Sequence, residues 1–254
     1  MGEIDLFFLL LAAFFAGFID AVAGGGGLIQ VPTLLVALPA ESPSTIFGTN
    51  KLASIFGTGN AAIRYARRIA LPWGLALPAA GAAFLFSFGG AAAVTWLPKD
   101  VVRPLVLVLL VLVLLYTVAR PAFGTSAGTR LDKSREWRLA LLAGAGLGFY
   151  DGFFGPGAGS FMIFAFVRWF RLDFLQASSV AKVVNLATNA AALAYFVPGG
   201  NVLWGIGLGM AMFNILGAML GARLALRHGS HFVRGSFVVV ASLLILRLGY
   251  DTFS

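Results

Sequence analysis

The 254-residue chain has no cysteine, and only 11% of its residues are charged, against about a quarter in soluble domains. Without cysteine there are no disulfides, no thiolate metal sites and no thiol catalysis, although this says little about compartment. The shortage of charge, with 59% hydrophobic residues and a mean hydropathy of +0.92, marks a polytopic membrane protein rather than a soluble one. The longest polar stretch is 120–138, so almost no sequence remains for a water-soluble domain. The net charge of +8 sits mostly at segment ends, where it sets orientation and meets anionic headgroups; nucleic acid is a poor partner for such a pattern. A basic n-region and an obvious small-residue cleavage site are both missing before the first apolar run, so 4–22 is expected to be retained as a membrane segment. His228 and His231 lie in a basic turn away from any further ligand-type residue, and no metal or cofactor is expected.

Glycine, by contrast, is abundant and clustered. Gly17-Phe-Ile-Asp20-Ala-Val-Ala-Gly24-Gly-Gly-Gly27 and Gly148-Phe-Tyr-Asp151-Gly-Phe-Phe-Gly155-Pro-Gly157-Ala-Gly159 each set glycines just after an aspartate inside a long apolar run. Each glycine disfavours a helix interior by roughly 1 kcal/mol relative to alanine, so four in succession predict a break. A break at membrane depth survives only where protein, water or a ligand satisfies the freed backbone groups. One break in each half of the chain points to a substrate site between them.

Eight apolar stretches follow one another at about 4–38, 45–66, 71–97, 101–119, 139–167, 174–197, 202–226 and 232–249, each long enough to cross about 30 Å of hydrocarbon. An internal repeat runs without gaps at an offset of 131 residues: Gly17, Phe18, Asp20, Gly24 and Gly26 fall on Gly148, Phe149, Asp151, Gly155 and Gly157. Lys51 falls on Lys182, Trp73 on Trp204 and Arg103 on Arg234. The expected organisation is therefore all-α: a first transmembrane repeat (1–119), a polar cytoplasmic linker (120–138) and a second repeat (139–254).

Charge decides between two topologies. If all eight stretches are simple crossings, the repeats are parallel and one half violates the positive-inside rule. If stretches one and five are hairpins bent at their glycines, the repeats are inverted. Turns 39–44 and 198–201 then lie outside with the N-terminus, and 67–71, the linker, 168–173 and 227–231 lie inside. Only Lys99, Arg103 and Arg247 then sit on the wrong side, and this arrangement is preferred.

The second and sixth stretches carry polar stripes. Lys51, Ser54 and Thr58 are spaced i, i+3, i+7, and Ser178, Lys182, Asn185 and Asn189 are spaced i, i+4, i+7, i+11, each on one helix face. Lys182 lies about eight residues from one end of its stretch and fifteen from the other, too deep to snorkel. A lysine at mid-bilayer costs about 2.5–3.5 kcal/mol on insertion scales, so both lysines are expected to face the bundle interior and something negative. The bland account pairs Lys51 and Lys182 with Asp20 and Asp151. The favoured one adds helix N-termini near Gly27 and Gly159, and the companions Asn50, Ser54, Asn185 and Asn189, to make a small-oxyanion site that also uses Gly26 and Gly157. Asp20 and Asp151 are either proton carriers or, as preferred, local hydrogen-bond acceptors for the N–H groups of their own bends. Asn60, Asn214 and Arg64 are weaker candidates, and Trp73 and Trp204 fit interfacial belts.

These residues carry a resemblance. Phe18-Ile-Asp20-Ala-Val-Ala-Gly24-Gly-Gly-Gly27 with Val31-Pro32, Gly48-Thr-Asn50-Lys51-Leu-Ala-Ser54, and the second-half Asp151 to Gly159 and Lys182-Val-Val-Asn185 resemble the sulfite exporter TauE/SafE family of membrane permeases over nearly the whole chain. The resemblance implies an inner-membrane, multi-pass transporter of small sulfur-containing anions such as sulfite or organosulfonates, and not an enzyme. One departure is Ala181, which stands where the first half has Asn50, so the half-sites are not equivalent. The partners expected are a small anionic substrate and membrane lipid, with a homodimer left open. A channel-like pore or accessory membrane subunit, its polar stripes serving helix packing, is the alternative.

Overall fold

The computed structural model describes residues 3–94, 111, 115, 119, 127–128 and 132–253. Most of the fourth apolar stretch and of the polar segment after it, with Lys99 and Arg103, lies outside these residues. Every described element is helical: α1 (Glu3–Ala23), α2 (Gly27–Ala37), α3 (Pro43–Ala66), α4 (Trp73–Ala93), α5 (Lys133–Phe153), α6 (Ala158–Phe170), α7 (Phe174–Phe196) and α8 (Trp204–Phe253), which is broken into two helices at Gly229 (φ 73°). By length and composition, Leu6–Ala23, Trp73–Ala93 and Trp204–Val239 are long and apolar enough to cross a membrane.

Local chemistry starts the helices. Ser42 accepts the Thr45 N–H at 3.2 Å ahead of Pro43 at the first helical position of α3. Asp173 accepts the Gln176 N–H at 2.8 Å to open α7. Asp132 accepts the hydroxyl and N–H of Ser134 at the head of α5, and the hydroxyl bond first, then the N–H, holds its carboxyl below the usual value. This cap starts α5 at Lys133, so residues 133–138 are helical.

The first and fifth apolar stretches are each two helices meeting at the glycine cluster. Gly24 (φ 80°), Gly155 (φ 83°) and Gly157 (φ 81°) adopt left-handed backbone that side-chain-bearing residues avoid, which turns the chain there. The second arms, 11 and 13 residues, reach only about 17 and 20 Å and fall short of a crossing. The arm α2 folds back along α1, so that Val31 and Leu34 share a cluster with Leu9 and Ala13, joined by Ile46, Ala53 and Met210.

Close packing of small residues joins the long helices. A Cβ on Gly144, Gly148 or Gly152 of α5 would lie 2.2, 2.4 or 2.0 Å from Ala79, Ala83 or Ser87 backbone of α4. A Cβ on Gly17 of α1 would lie 2.1 Å from the Asn214 carbonyl oxygen of α8. Such contacts let helices associate where lipid removes the hydrophobic drive between them. The largest core cluster joins Tyr65, Leu75, Phe166, Phe170 and Phe174. The turns sort to two ends. The Leu203 N–H donates to Thr49 Oγ1 at 3.0 Å, which brings 197–203 to the start of α3. At the other end the Leu175 N–H donates to Ser230 Oγ at 3.2 Å and the Gly128 N–H to the Arg171 carbonyl at 2.8 Å.

Candidate functional site

The two glycine breaks meet tip to tip. A Cβ on Gly24 would stand 2.3 Å from the Gly159 carbonyl carbon, and one on Gly159 would stand 2.5 Å from the Gly24 oxygen. Backbone freed at the breaks is taken up by protein: Ser160 donates its N–H to Gly24 O (3.1 Å) and its hydroxyl to Ala23 O (2.8 Å). The Tyr65 hydroxyl donates to Ala21 O (2.9 Å) and the Tyr150 hydroxyl to Pro156 O (2.8 Å). This is the internal satisfaction that irregular backbone at membrane depth requires. Gly24→Ala is therefore expected to destabilise by about 2–5 kcal/mol, from positive φ plus overpacking. Gly81→Ala, with open space around its Cβ, should leave the melting temperature level or slightly raised. Equal melting temperatures for the two variants would refute the tip-to-tip contact.

Beside the tips lie two buried ion pairs, and they are crossed. Lys51 Nζ of α3 is 2.8 Å from Asp151 Oδ1 of α5, and Lys182 Nζ of α7 is 2.8 Å from Asp20 Oδ2 of α1. Each lysine thus meets the aspartate of the other half of the chain. The two carboxylates are not equally held. Asp151 also accepts the Asn185 amide at 3.0 Å and the Thr188 hydroxyl, and it is 2% exposed. Among the described residues Asp20 receives, besides its lysine, only the Thr58 hydroxyl at 3.3 Å, and it is 17% exposed. The expectation that both aspartates accept N–H groups of their own bends is corrected: side chains from other helices occupy them. A buried ammonium offers a charge-assisted bond that a neutral N–H cannot match.

A cavity of about 20 Å³ opens among these groups, room for about one water. Of the residues singled out in the sequence, Asn50, Lys51, Ser54, Asn185, Asn189, Gly26, Gly27 and Gly159 line it together with Asp20 and Asp151. Lys182 and Gly157 do not. Lys182 is fully buried against Asp20, and Gly157 faces Leu28. The Asn50 amide oxygen is buried without a partner. Asn214, a weaker candidate, also lines the cavity and donates to Gln30 Oε1 (3.1 Å) and Ala13 O (3.2 Å). Asn60 is drawn away to accept Arg64 Nε at 2.8 Å. Among the described residues, no three His, Cys, Asp or Glu side chains gather as a metal site.

The model of the sulfite exporter TauE/SafE family matches residues 9–248. The chain belongs to this family. It is similar to the probable membrane transporter YfcA of Escherichia coli K12, 36% identical with 96% of this chain and 89% of that protein covered. It is likewise similar to the probable membrane transporter ORF9 of a Sinorhizobium species, 38% identical over 97% and 93%. A probable membrane transporter of Haemophilus influenzae is 34% identical over 98% and 96%. No solved structure matches the chain. This TauE/SafE protein is a multi-pass helical membrane transporter.

Two polar groups at the TauE/SafE site escaped the sequence reading. Gln30 is fully buried on α2, two residues before Pro32, and Thr188 holds Asp151 from one turn beyond Asn185. Gln30 is the lone amide in the apolar run 27–37, a signal that a search for isolated polar residues in second arms would have found.

Proposed function

We propose that this TauE/SafE protein exports a small sulfur-containing anion, such as sulfite or an organosulfonate, by alternating access around the crossed ion pairs. The observation that carries this is the meeting of both glycine bends, both aspartates and Lys51 around one small polar cavity, with Lys182 paired to Asp20 behind it. Residues from each half line it: Asn50, Lys51 and Ser54 from the first, Asn185 and Asn189 from the second. The duplication is supported by helix starts 131 residues apart, Gly27 with Ala158, Pro43 with Phe174 and Trp73 with Trp204, and its inverted form by the glycine-bent hairpins, whose second arms are too short to cross. The same offset relates the Gly17–Asn214 contact to the Gly148–Ala83 contact, and it exchanges one ion pair for the other. The end holding Arg64, Arg67, Arg68, Arg223 and Arg227 is placed in the cytoplasm by the positive-inside rule.

The charge balance shapes the mechanism. Two lysines and two aspartates sum to zero, so an anion entering alone leaves a buried net charge. Protonating one aspartate as a singly charged anion such as hydrogen sulfite or a sulfonate binds releases a lysine for it and keeps the site neutral. The cavity, with room for about one water, must widen to admit a tetra-atomic oxyanion. In this reading the ion pairs hold the closed, unloaded arrangement, and anion with proton opens it. The test is binding of sulfite, sulfoacetate, sulfate and thiosulfate to purified protein, then flux in proteoliposomes under a pH gradient. Saturable binding of at least one sulfur anion, with proton movement tracking its flux, is expected. Flux that never saturates would favour the channel-like alternative, and no binding to any of the four would end the proposal.

A further inference from the structure

We propose that the groove between the arginine-bearing end of α3 and the arginine-bearing part of α8 just before its break at Gly229 is a binding site for an anionic phospholipid. The two helices touch closely where a Cβ on Gly57 would stand 1.9 Å from Asn214 Oδ1. Beyond this contact, between residues 60–69 and 216–227, lies an open groove of about 1010 Å³. Five arginines line it: Arg64, Arg67 and Arg68 from the end of α3 and the turn after it, and Arg223 and Arg227 from α8. Among the described residues no carboxylate lines it and none of the five makes an ion pair; Arg64 alone is held by a side chain, that of Asn60. Five like charges around one groove repel one another and call for an anionic partner.

The remaining lining names the kind of anion. Ile63, Leu216 and Leu220 lie one to three turns before the terminal arginines and are 54%, 53% and 43% exposed, with Met219 beside them. Guanidinium groups thus stand at the bundle end and hydrocarbon along the wall, the order of a headgroup phosphate and its acyl chains. Basic pockets between transmembrane helices at the cytoplasmic side bind headgroups in this way, and each basic group near the surface contributes on the order of 1 kcal/mol. A small soluble oxyanion has no use for the apolar wall. The groove holds none of Asp20, Lys51, Asp151 or Lys182, so the inference stands independently of what the protein transports.

The test is thermal unfolding of the full chain in detergent with added dioleoyl phosphatidylglycerol, with phosphatidylcholine of the same chains, or with inorganic phosphate. Phosphatidylglycerol is expected to raise the melting temperature saturably while the other two do not. In the variant Arg67→Gln, Arg223→Gln, Arg227→Gln its apparent affinity should fall roughly a hundredfold. Arg135→Gln with Arg138→Gln, exposed arginines of α5 outside the groove, should leave it unchanged. Equal stabilisation by phosphatidylcholine, an equal response to inorganic phosphate, or unaltered affinity in the triple variant would overturn the proposal. Should that variant fail to fold, native mass spectrometry of the wild-type protein from mixed phosphatidylglycerol and phosphatidylcholine vesicles decides. Retained lipid must be enriched in phosphatidylglycerol, and retention in the vesicle ratio refutes the site.

Discussion

Lys51→Met is expected to lower the melting temperature of the purified protein by roughly 6–20 °C, through a loss of about 3–5 kcal/mol. The reason is what the substitution leaves behind. Asp151 is almost wholly enclosed, and without the ammonium at 2.8 Å its charge rests on the Asn185 amide and the Thr188 hydroxyl alone. Two neutral donors do not replace a full counter-charge at a site closed to water. The double variant Lys51→Met, Asp151→Asn removes both charges together and should recover most of the lost stability, because a well-filled neutral pair is often as stable as the buried ion pair it replaces. The double variant Lys51→Met, Asp20→Asn should recover none, since it breaks both pairs and strands Asp151 and Lys182. The comparison is a double-mutant cycle in which the crossed partner couples and the partner from the same half does not. Recovery by Asp20→Asn in place of Asp151→Asn would show that the pairs run within each half.

The ingredients of this site were legible in the sequence, but their partnership was not. Four successive glycines at 24–27, and three glycines around Pro156 at 155–159, disfavour a helix, so both breaks were evident from residue chemistry alone. Lysines at mid-stretch require negative partners, and two aspartates stood ready. Which aspartate serves which lysine depends on how α1 and α5 pass α3 and α7, a long-range matter that periodicity within a stretch does not encode. The nearer choice in sequence, Asp20 with Lys51, is not the pair that forms. Contacts such as Gly148 on Ala83 were hidden for a different reason: in a chain so rich in glycine and alanine, a small residue at a crossing looks like any other. The start of α5 was hidden because Lys133, Arg135 and Arg138 read as linker charge, whereas Asp132 caps them into helix and the exposed first turn tolerates them.

The unequal grip on the two aspartates leads to the second large effect, on transport. Asp151 has both oxygens engaged, whereas Oδ1 of Asp20 has no protein partner among the described residues, and Asp20 lines the cavity. In the proposed cycle Asp20 is therefore the carboxylate assigned the proton, and Lys182 behind it the lysine released to the anion. If the proposed anion is the substrate, Lys182→Met should weaken its apparent affinity roughly ten- to hundredfold, the worth of one charge-assisted hydrogen bond of about 1.5–3 kcal/mol. Asp20→Asn should abolish proton movement with flux in proteoliposomes, since an amide cannot carry the proton. The decisive protein is the double variant Asp20→Asn, Lys182→Met. Charge neutrality should return its melting temperature towards that of the wild type, as it does for Lys51→Met, Asp151→Asn, yet transport should stay lost. If that stable double variant moves sulfite with wild-type affinity and proton coupling, the Asp20–Lys182 pair is only a strut between α1 and α7. If it folds normally but is silent, the pair belongs to the transport cycle, because a structural role alone predicts that restoring stability restores activity.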